Sequence, residues 1–381
     1  MMARELIISI YLFAFRNVFC FFKLWPQQRK TTFIVSFGQN VLFTVNELEK
    51  RTDEQIVILK TANCSMPFRE KKSRKVLCFK AYAILDWFRS VYHLATSRYV
   101  FADNYFGVLS VSSFKKNVRC VQLWHAAGAI KKFGLKDRAI QARSLKAYRR
   151  FQKVYKRFDH VVVGSEKMAD IFKESFGITE KEIVRTGIPR TDLFFYHAIV
   201  DYCRKGFIRD IPAIINKKVV FYAPTYRDDM SALLHLDVDQ LYKQFSNDYI
   251  LFIKLHPSLR EGFINKYPDF MFDVAKYNTN ELLLVTDVLI TDYSSIPFEF
   301  SLLERPMIFY AFDLEEYEQQ RGFWEDYETL VPGPIAKNTN EIIQLIRKNS
   351  FNLNEVRRFA EEWNTYSQGH SSKNIIDFLY F

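Results

Sequence analysis

From residue 31 onward the chain alternates short apolar runs with longer amphipathic stretches. The runs at 31–37 (TTFIVSF), 55–60 (QIVILK), 98–102 (RYVFA), 118–124 (VRCVQLW), 160–164 (HVVVG) and 183–186 are rich in β-branched and aromatic residues and predict strands. Residues 40–51, 81–97 and 139–158 carry helical periodicity, the last with a strongly basic face. Residues 166–176 predict a helix closed by Gly177. A second series starts near residue 217, with strands at 218–222 (KVVFY), 249–254 (YILFIK), 288–291 (VLIT) and 306–310 (PMIFY) and helices at 239–246, 281–285 and 295–303. Residues 192–216 yield no element and read as a linker, and 354–381 reads as helical.

Strands that alternate with helices predict parallel sheets covered on both faces. Two such series predict an α/β protein of two doubly wound domains facing a central cleft, with ligands outside the carboxyl ends of the strands. The expected division is a membrane-associating segment at 1–30, a first domain at 31–200, a second at 201–350, and a C-terminal helix at 351–381 that packs back across the domains.

The N-terminal segment breaks the alternation. Residues 6–25 are apolar and aromatic and about long enough to span a bilayer. Arg16 falls near the middle, where a charge is expensive, and no small-residue cleavage site follows. The segment therefore predicts a helix lying in the membrane interface, with Arg4, Arg16, Lys23, Arg29 and Lys30 near head groups. A buried helix of the first domain is the alternative.

Charge changes the picture next. Of 381 residues, 54 are Lys or Arg and 43 Asp or Glu, and the net charge of +11 favours polyanionic partners such as anionic lipid or phosphorylated substrates. No zinc-finger or RNP pattern accompanies the basic residues, so nucleic acid is not expected. The five cysteines show no CxxC and no metal-ligand spacing, which fits a reducing compartment. GxGxxG, GxxxxGK[ST] and GxSxG are all absent. Asp228-Asp229 is too small a set to predict a metal, and no cofactor is expected.

Four segments carry candidate chemistry. His125 ends the strand VRCVQLW, and small residues up to Gly128 would let the backbone approach a ligand, with Lys131 and Lys132 ready for phosphate. His256 takes the matching place after YILFIK, where Pro257 biases it away from helical geometry. Asp292, Ser294 and Ser295 follow VLIT at the start of a helix, whose N-terminus offers free N–H groups and a positive dipole end to phosphate. Glu299 lies one turn on. Thr225 and Arg227, in YAPTYRDD, are natural phosphate donors. Each segment also has a plain structural reading, as a satisfied histidine, an ordinary helix cap or a capped turn. Two histidines at strand ends of two facing domains would converge on one cleft, which favours the catalytic reading.

Together QLWHAAGAIKKFG at 122–134, VVVGSE at 161–166, TGIPRTD at 186–192, YAPTYRDD at 222–229, FIKLHP at 252–257 and VLITDYSSIPFEF at 288–300 resemble the CDP-glycerol glycerophosphotransferase family of teichoic acid synthesis. RPMIFYAFDLEEY, RGF and VPGP extend the likeness, which covers roughly residues 98–370. The resemblance implies a GT-B-like fold, peripheral (monotopic) attachment to the cytoplasmic face of the membrane, CDP-glycerol as donor and CMP as by-product. From their placement His125 and His256 are the candidate catalytic residues, and either could be the general base.

Within the family the chain resembles enzymes that add the first glycerol phosphate to N-acetylmannosaminyl-N-acetylglucosaminyl-diphospho-undecaprenol. The chain is short, and Ala126-Ala127-Gly128-Ala129 replaces the polymerase-like form in which WHG precedes TPLKK. Other teichoic acid enzymes are expected partners. A polymerase of the same family, a GT-B nucleotide-sugar glycosyltransferase and a noncatalytic membrane scaffold are the alternatives.

Overall fold

The computed structural model describes residues 2–225, 235–254 and 264–381. The chain divides into two compact units, one of Met1–Ala127, Lys132–Asp192 and Thr365–Phe381, the other of Gly128–Lys131 and Leu193–Asn364.

The first unit opens with α1 (Met2–Phe22), β1 (Lys30–Val35), α2 (Gln39–Arg51), β2 (Gln55–Lys60), β3 (Arg74–Cys78), α3 (Ile84–Thr96) and β4 (Tyr99–Ala102). β5 (Arg119–Gln122), α4 (Arg138–Gln141), α5 (Leu145–Tyr155), β6 (His160–Val162), α6 (Glu166–Phe176) and β7 (Ile183–Val184) follow. The strands form one sheet in the order β3-β2-β1-β4-β5-β6-β7, and every pairing is parallel. All six residues of β1 are buried, as expected of a central strand covered on both faces. Strand order reverses between β1 and β4, which makes that edge the switch point where ligands of such sheets bind.

Local chemistry sets the helix ends. The Ser165 hydroxyl accepts from the Met168 amide to start α6, and Gly177 ends it in the left-handed region at φ 65. The single basic helix expected at 139–158 is two helices. Asp137 caps α4 and Ser144 caps α5, so the chain starts afresh between them.

α1 is buried in the first unit along one face and exposed along the other. Leu12, Phe15 and Phe19 are buried, Phe15 packs edge-on against Trp87 of α3, and Trp87 Nε1 donates to the Tyr11 hydroxyl at 3.1 Å. Burying the two phenylalanine rings stabilises this packing by about 2 kcal/mol each, an upper estimate. Leu6, Ile7, Ile10 and Phe13 on the other face are 60–69% exposed. Lys30 does not lie at a surface for head groups. It is fully buried at the start of β1, where Nζ donates to Thr96 Oγ1 at 2.6 Å and Gln28 Oε1 at 2.9 Å.

The second unit contains α7 (His197–Asp210), β8 (Lys218–Ala223), α8 (Val238–Phe245), β9 (Tyr249–Ile253), β10 (Met271–Asp273), α9 (Thr279–Val285) and β11 (Val288–Thr291). α10 (Ile296–Phe300), β12 (Met307–Tyr310), α11 (Leu314–Arg321), α12 (Tyr327–Leu330), β13 (Ile335–Ala336), α13 (Thr339–Lys348) and α14 (Leu353–Trp363) complete it. Its sheet runs β10-β9-β8-β11-β12-β13, again with every pairing parallel. Side chains of β8, β9, β11 and β12 pack with Ile342 and Ile346 of α13 in its core. The stretch 192–216 is not a linker without structure. It holds α7 and flanking 3₁₀ turns.

The two sheets share one topology, so strands can be matched. β9 corresponds to β2, and the counterpart of β5 is β12. The positions after β5 and β9, where His125 and His256 fall in sequence, are therefore not equivalent strand ends.

The predicted C-terminal helix is also two helices. α14 belongs to the second unit, and α15 (Ser371–Tyr380) belongs to the first. The Asp192 carboxylate accepts from the Ser371 and Ser372 amides, both at 2.8 Å, and the Tyr380 hydroxyl meets Thr31 Oγ1 at 2.6 Å.

Candidate active site

His125 stands just beyond β5 in a frame of backbone and side-chain contacts within the first unit. Its ring stacks on Phe37, with centroids 3.9 Å apart, and on Trp124 at 4.2 Å. Nδ1 lies 3.0 Å from the backbone oxygen of Asp103. A carbonyl only accepts, so Nδ1 carries the proton and Nε2 of the neutral ring holds the lone pair. Burial lowers the His125 pKa to about 4, and Arg190 adds to the effect. The imidazole is thus neutral at physiological pH.

The chain reaches this position at some local strain. Trp124 has φ 54, a conformation uncommon for a bulky side chain. Three side chains hold it there. Gln122 Oε1 accepts from the Trp124 amide at 2.9 Å, Asn40 Nδ2 donates to the Trp124 oxygen at 2.9 Å, and Arg190 Nη1 donates to the His125 oxygen at 2.6 Å. Arg190 comes from TGIPRTD, a segment whose sequence gave no role for it.

Asp103 is another residue that sequence reading missed. It follows β4 at the switch point and is fully buried. Its carboxylate accepts from the amides of Ser36, Phe37 and Gly38 at 2.8–2.9 Å. The second unit repeats the device. Asp292 follows β11, is 2% exposed, and accepts from the Thr225 amide at 2.8 Å just beyond β8. In both sheets an aspartate after the fourth strand ties down the turn that leaves the first. A signal existed in the sequence: both RYVFAD and VLITD end an apolar run on Asp.

Around Asp292, Ser294 Oγ accepts from the Ile296 amide at 3.2 Å and meets Thr291 Oγ1 at 3.1 Å. Ser295 is the residue before α10, yet its side chain makes no capping bond, so its hydroxyl is not engaged in starting the helix. Glu299 is buried, 1% exposed, on the same short helix. Gly128 lies against this helix too. A Cβ there would come 2.1 Å from the Phe298 ring, so packing alone requires glycine at this position. Lys131 pairs through its backbone with Phe323, and its Nζ lies 5.8 Å from the Tyr317 ring centre. Lys132 is exposed. Arg227 and His256 lie outside the described residues. Among the described residues no cluster of three or more His, Cys, Asp or Glu side chains gathers as a metal site.

Two parallel sheets of matched topology, each with an aspartate-braced switch point, define a GT-B-like fold. Residues 60–380 match the model of the family described as CDP-Glycerol:Poly(glycerophosphate) glycerophosphotransferase, and the chain belongs to that family. It is a CDP-glycerol-dependent glycerophosphotransferase. It is similar to the teichoic acid glycerol-phosphate primase of Bacillus subtilis (strain 168), with 36% identity across 100% of this chain and 99% of that one. The teichoic acid poly(ribitol-phosphate) polymerase of Bacillus spizizenii is 35% identical over 76% of this chain, but the match covers 48% of its own length. The solved structure of the wall teichoic acid polymerase TagF superposes with TM-score 0.80 over 99% of this chain and 95% of that one, a likeness of fold at 22% identity.

Proposed function

We propose that this enzyme is a glycerol-phosphate primase. It moves glycerol phosphate from CDP-glycerol to N-acetylmannosaminyl-N-acetylglucosaminyl-diphospho-undecaprenol and releases CMP. The observation that carries the reading is the match over essentially the whole length of both chains to a glycerol-phosphate primase.

The chemistry is an in-line attack of an acceptor hydroxyl on the β-phosphorus of CDP-glycerol. The new O–P bond forms as the bond from that phosphorus to the bridging oxygen breaks. The acceptor proton passes to Nε2 of His125, and CMP leaves with the electron pair. The fixed tautomer of His125 supports its role as the base. Arg227, Thr225, Ser294 and Ser295 stabilise charge on the transferring group, Asp292 holds Thr225 through its amide, and His256 binds the diphosphate or helps CMP leave. Glu299 braces α10 from within. Lys131 and Lys132 attract the phosphates of the acceptor. In this reading the first unit takes the acceptor and the second takes CDP-glycerol.

Attachment to the cytoplasmic membrane surface is peripheral and runs through the exposed apolar face of α1. Support comes from Leu6, Ile7, Ile10 and Phe13 on that face and from Arg16, whose charge opposes spanning.

Incubation of the purified full chain with CDP-glycerol and the lipid-linked disaccharide tests the reading by product mass. A gain of one glycerol phosphate is expected with donor in excess. A ladder of longer products means a polymerase, a hexose increment means a glycosyltransferase, and no product means a scaffold.

A further inference from the structure

α1 and α5 border an open groove of ≈ 640 Å³ in the first unit, lined also by Ser110 and Val111. Its charged wall is one-sided. Lys146, Arg149 and Lys153 recur along one face of α5 at helical spacing, and Arg16 adds its charge from α1. All four are exposed, and none makes an ion pair within 4 Å among the described residues, although Lys146 lies within electrostatic reach of Glu5. Arg150, on the same wall, is already held by Glu5 at 2.9 and 3.1 Å. Like charges one turn apart repel, so this face is stabilised by an anion from outside.

The rest of the groove decides what kind of anion. Leu12, Phe13 and Leu145 line it, with Phe13 69% and Leu145 63% exposed. A nucleic acid or a free phosphate has no use for such walls. An amphiphile has, because its head takes the cations and its chains follow the apolar face that Phe13 shares with Ile10 and Leu6.

We propose that this groove seats the phosphate of one anionic phospholipid, with Lys146, Arg149, Lys153 and Arg16 around the head group and Phe13 and Leu145 against its glycerol and first methylenes. The site orients α1 on the bilayer as well as attaching it. The proposal rests on the reading that α1 lies on the membrane, and it does not depend on which acceptor the enzyme uses.

The test compares two double variants of the full chain that lose equal charge. Arg149→Gln with Lys153→Gln removes two groove cations. Lys72→Gln with Lys75→Gln removes two exposed cations at the β2–β3 edge. Binding is measured to vesicles of phosphatidylcholine with and without phosphatidylglycerol. The groove variant should lose about 10-fold or more in binding to the anionic vesicles, and the edge variant less than about 3-fold. The groove variant should keep the wild-type melting temperature, and both should keep wild-type weak binding to neutral vesicles. Equal losses in the two variants would mean diffuse charge attraction and overturn the site. So would competition by inorganic phosphate, which would make it a free-phosphate site, or a groove variant that binds as wild type. Turnover on a short-chain soluble acceptor separates the two readings. Its retention in the groove variant leaves the transferase standing whatever the vesicles show, and its absence in the wild type leaves the lipid site standing alone.

Discussion

The backbone oxygen of Asp103 lies 3.0 Å from Nδ1 of His125, and the proton it accepts decides which ring nitrogen is left as a base. The same aspartate, through its carboxylate, ties the turn after β1 that carries Phe37 under the imidazole. One residue thus fixes both the tautomer and the floor of the candidate site.

If His125 is the base, its lowered pKa of about 4 sets the acid limit of activity. The folded group stays neutral until the pH falls to that value, so the acid limb of kcat/KM should lie near pH 4, not near 6.5. His125→Ala should lower turnover by about 10²-fold or more with the fold retained, and His256→Ala should do the same. A limb near pH 6.5 that persists in His125→Ala would give the proton transfer to another group.

Ser294 and Ser295 should separate by measurement. Ser294 starts α10, so Ser294→Ala should lower stability by about 1 kcal/mol in thermal or denaturant unfolding. Ser295 makes no capping bond, so Ser295→Ala should leave stability within about 0.5 kcal/mol and weaken CMP and CDP-glycerol binding in calorimetry. Unchanged nucleotide affinity in both Ser295→Ala and Arg227→Ala would move the donor site elsewhere.

Gly128→Ala should cost about 1–3 kcal/mol, because the added methyl meets the Phe298 ring, itself packed on Phe359 and Trp363. In a double-mutant cycle with Phe298→Leu the two losses should sum to more than the pair costs together. Strict additivity would show that the glycine serves ligand approach and not packing.

Lys30 predicts a pH effect on stability. Burial, helped by Lys75, lowers its pKa to about 7 from the usual value near 10.5. The unfolded chain therefore binds more protons than the folded one between those values, and stability rises with pH across that window. As the pH falls from 9 to 7, the wild type should lose about 1–2 kcal/mol more than Lys30→Met, followed by urea unfolding. Parallel pH curves for the two proteins would mean that the ammonium stays charged inside the fold.

Central elements were legible in the sequence because their punctuation is local. VLIT is bounded by Asp287 and Asp292, and α6 by Ser165 and Gly177, and both elements form over the predicted residues. The strands that escaped, β3, β10 and β13, all lie at the sheet edges or are very short. An edge strand needs no continuous apolar run, and RKVLC shows none. α7 escaped because Phe207 is its one buried residue, so no apolar stripe marks it. At the candidate site the histidine was legible by its place after a strand. Asn40 and Arg190 were not, since they come from distant segments and act mainly on backbone atoms, which leave no spacing in the sequence, and of Asp103 only its place at the end of an apolar run was visible.

The return of α15 to the first unit has a consequence for how the protein is made. The ribosome delivers β1 to β7 early, but the Asp192 carboxylate and the Thr31 hydroxyl wait for amides and a phenol that emerge only after the second unit. Throughout synthesis of the second unit the first is an unfinished body with an open flank. A chain stalled before residue 365 would therefore present that flank to chaperones and proteases rather than stand as a folded half.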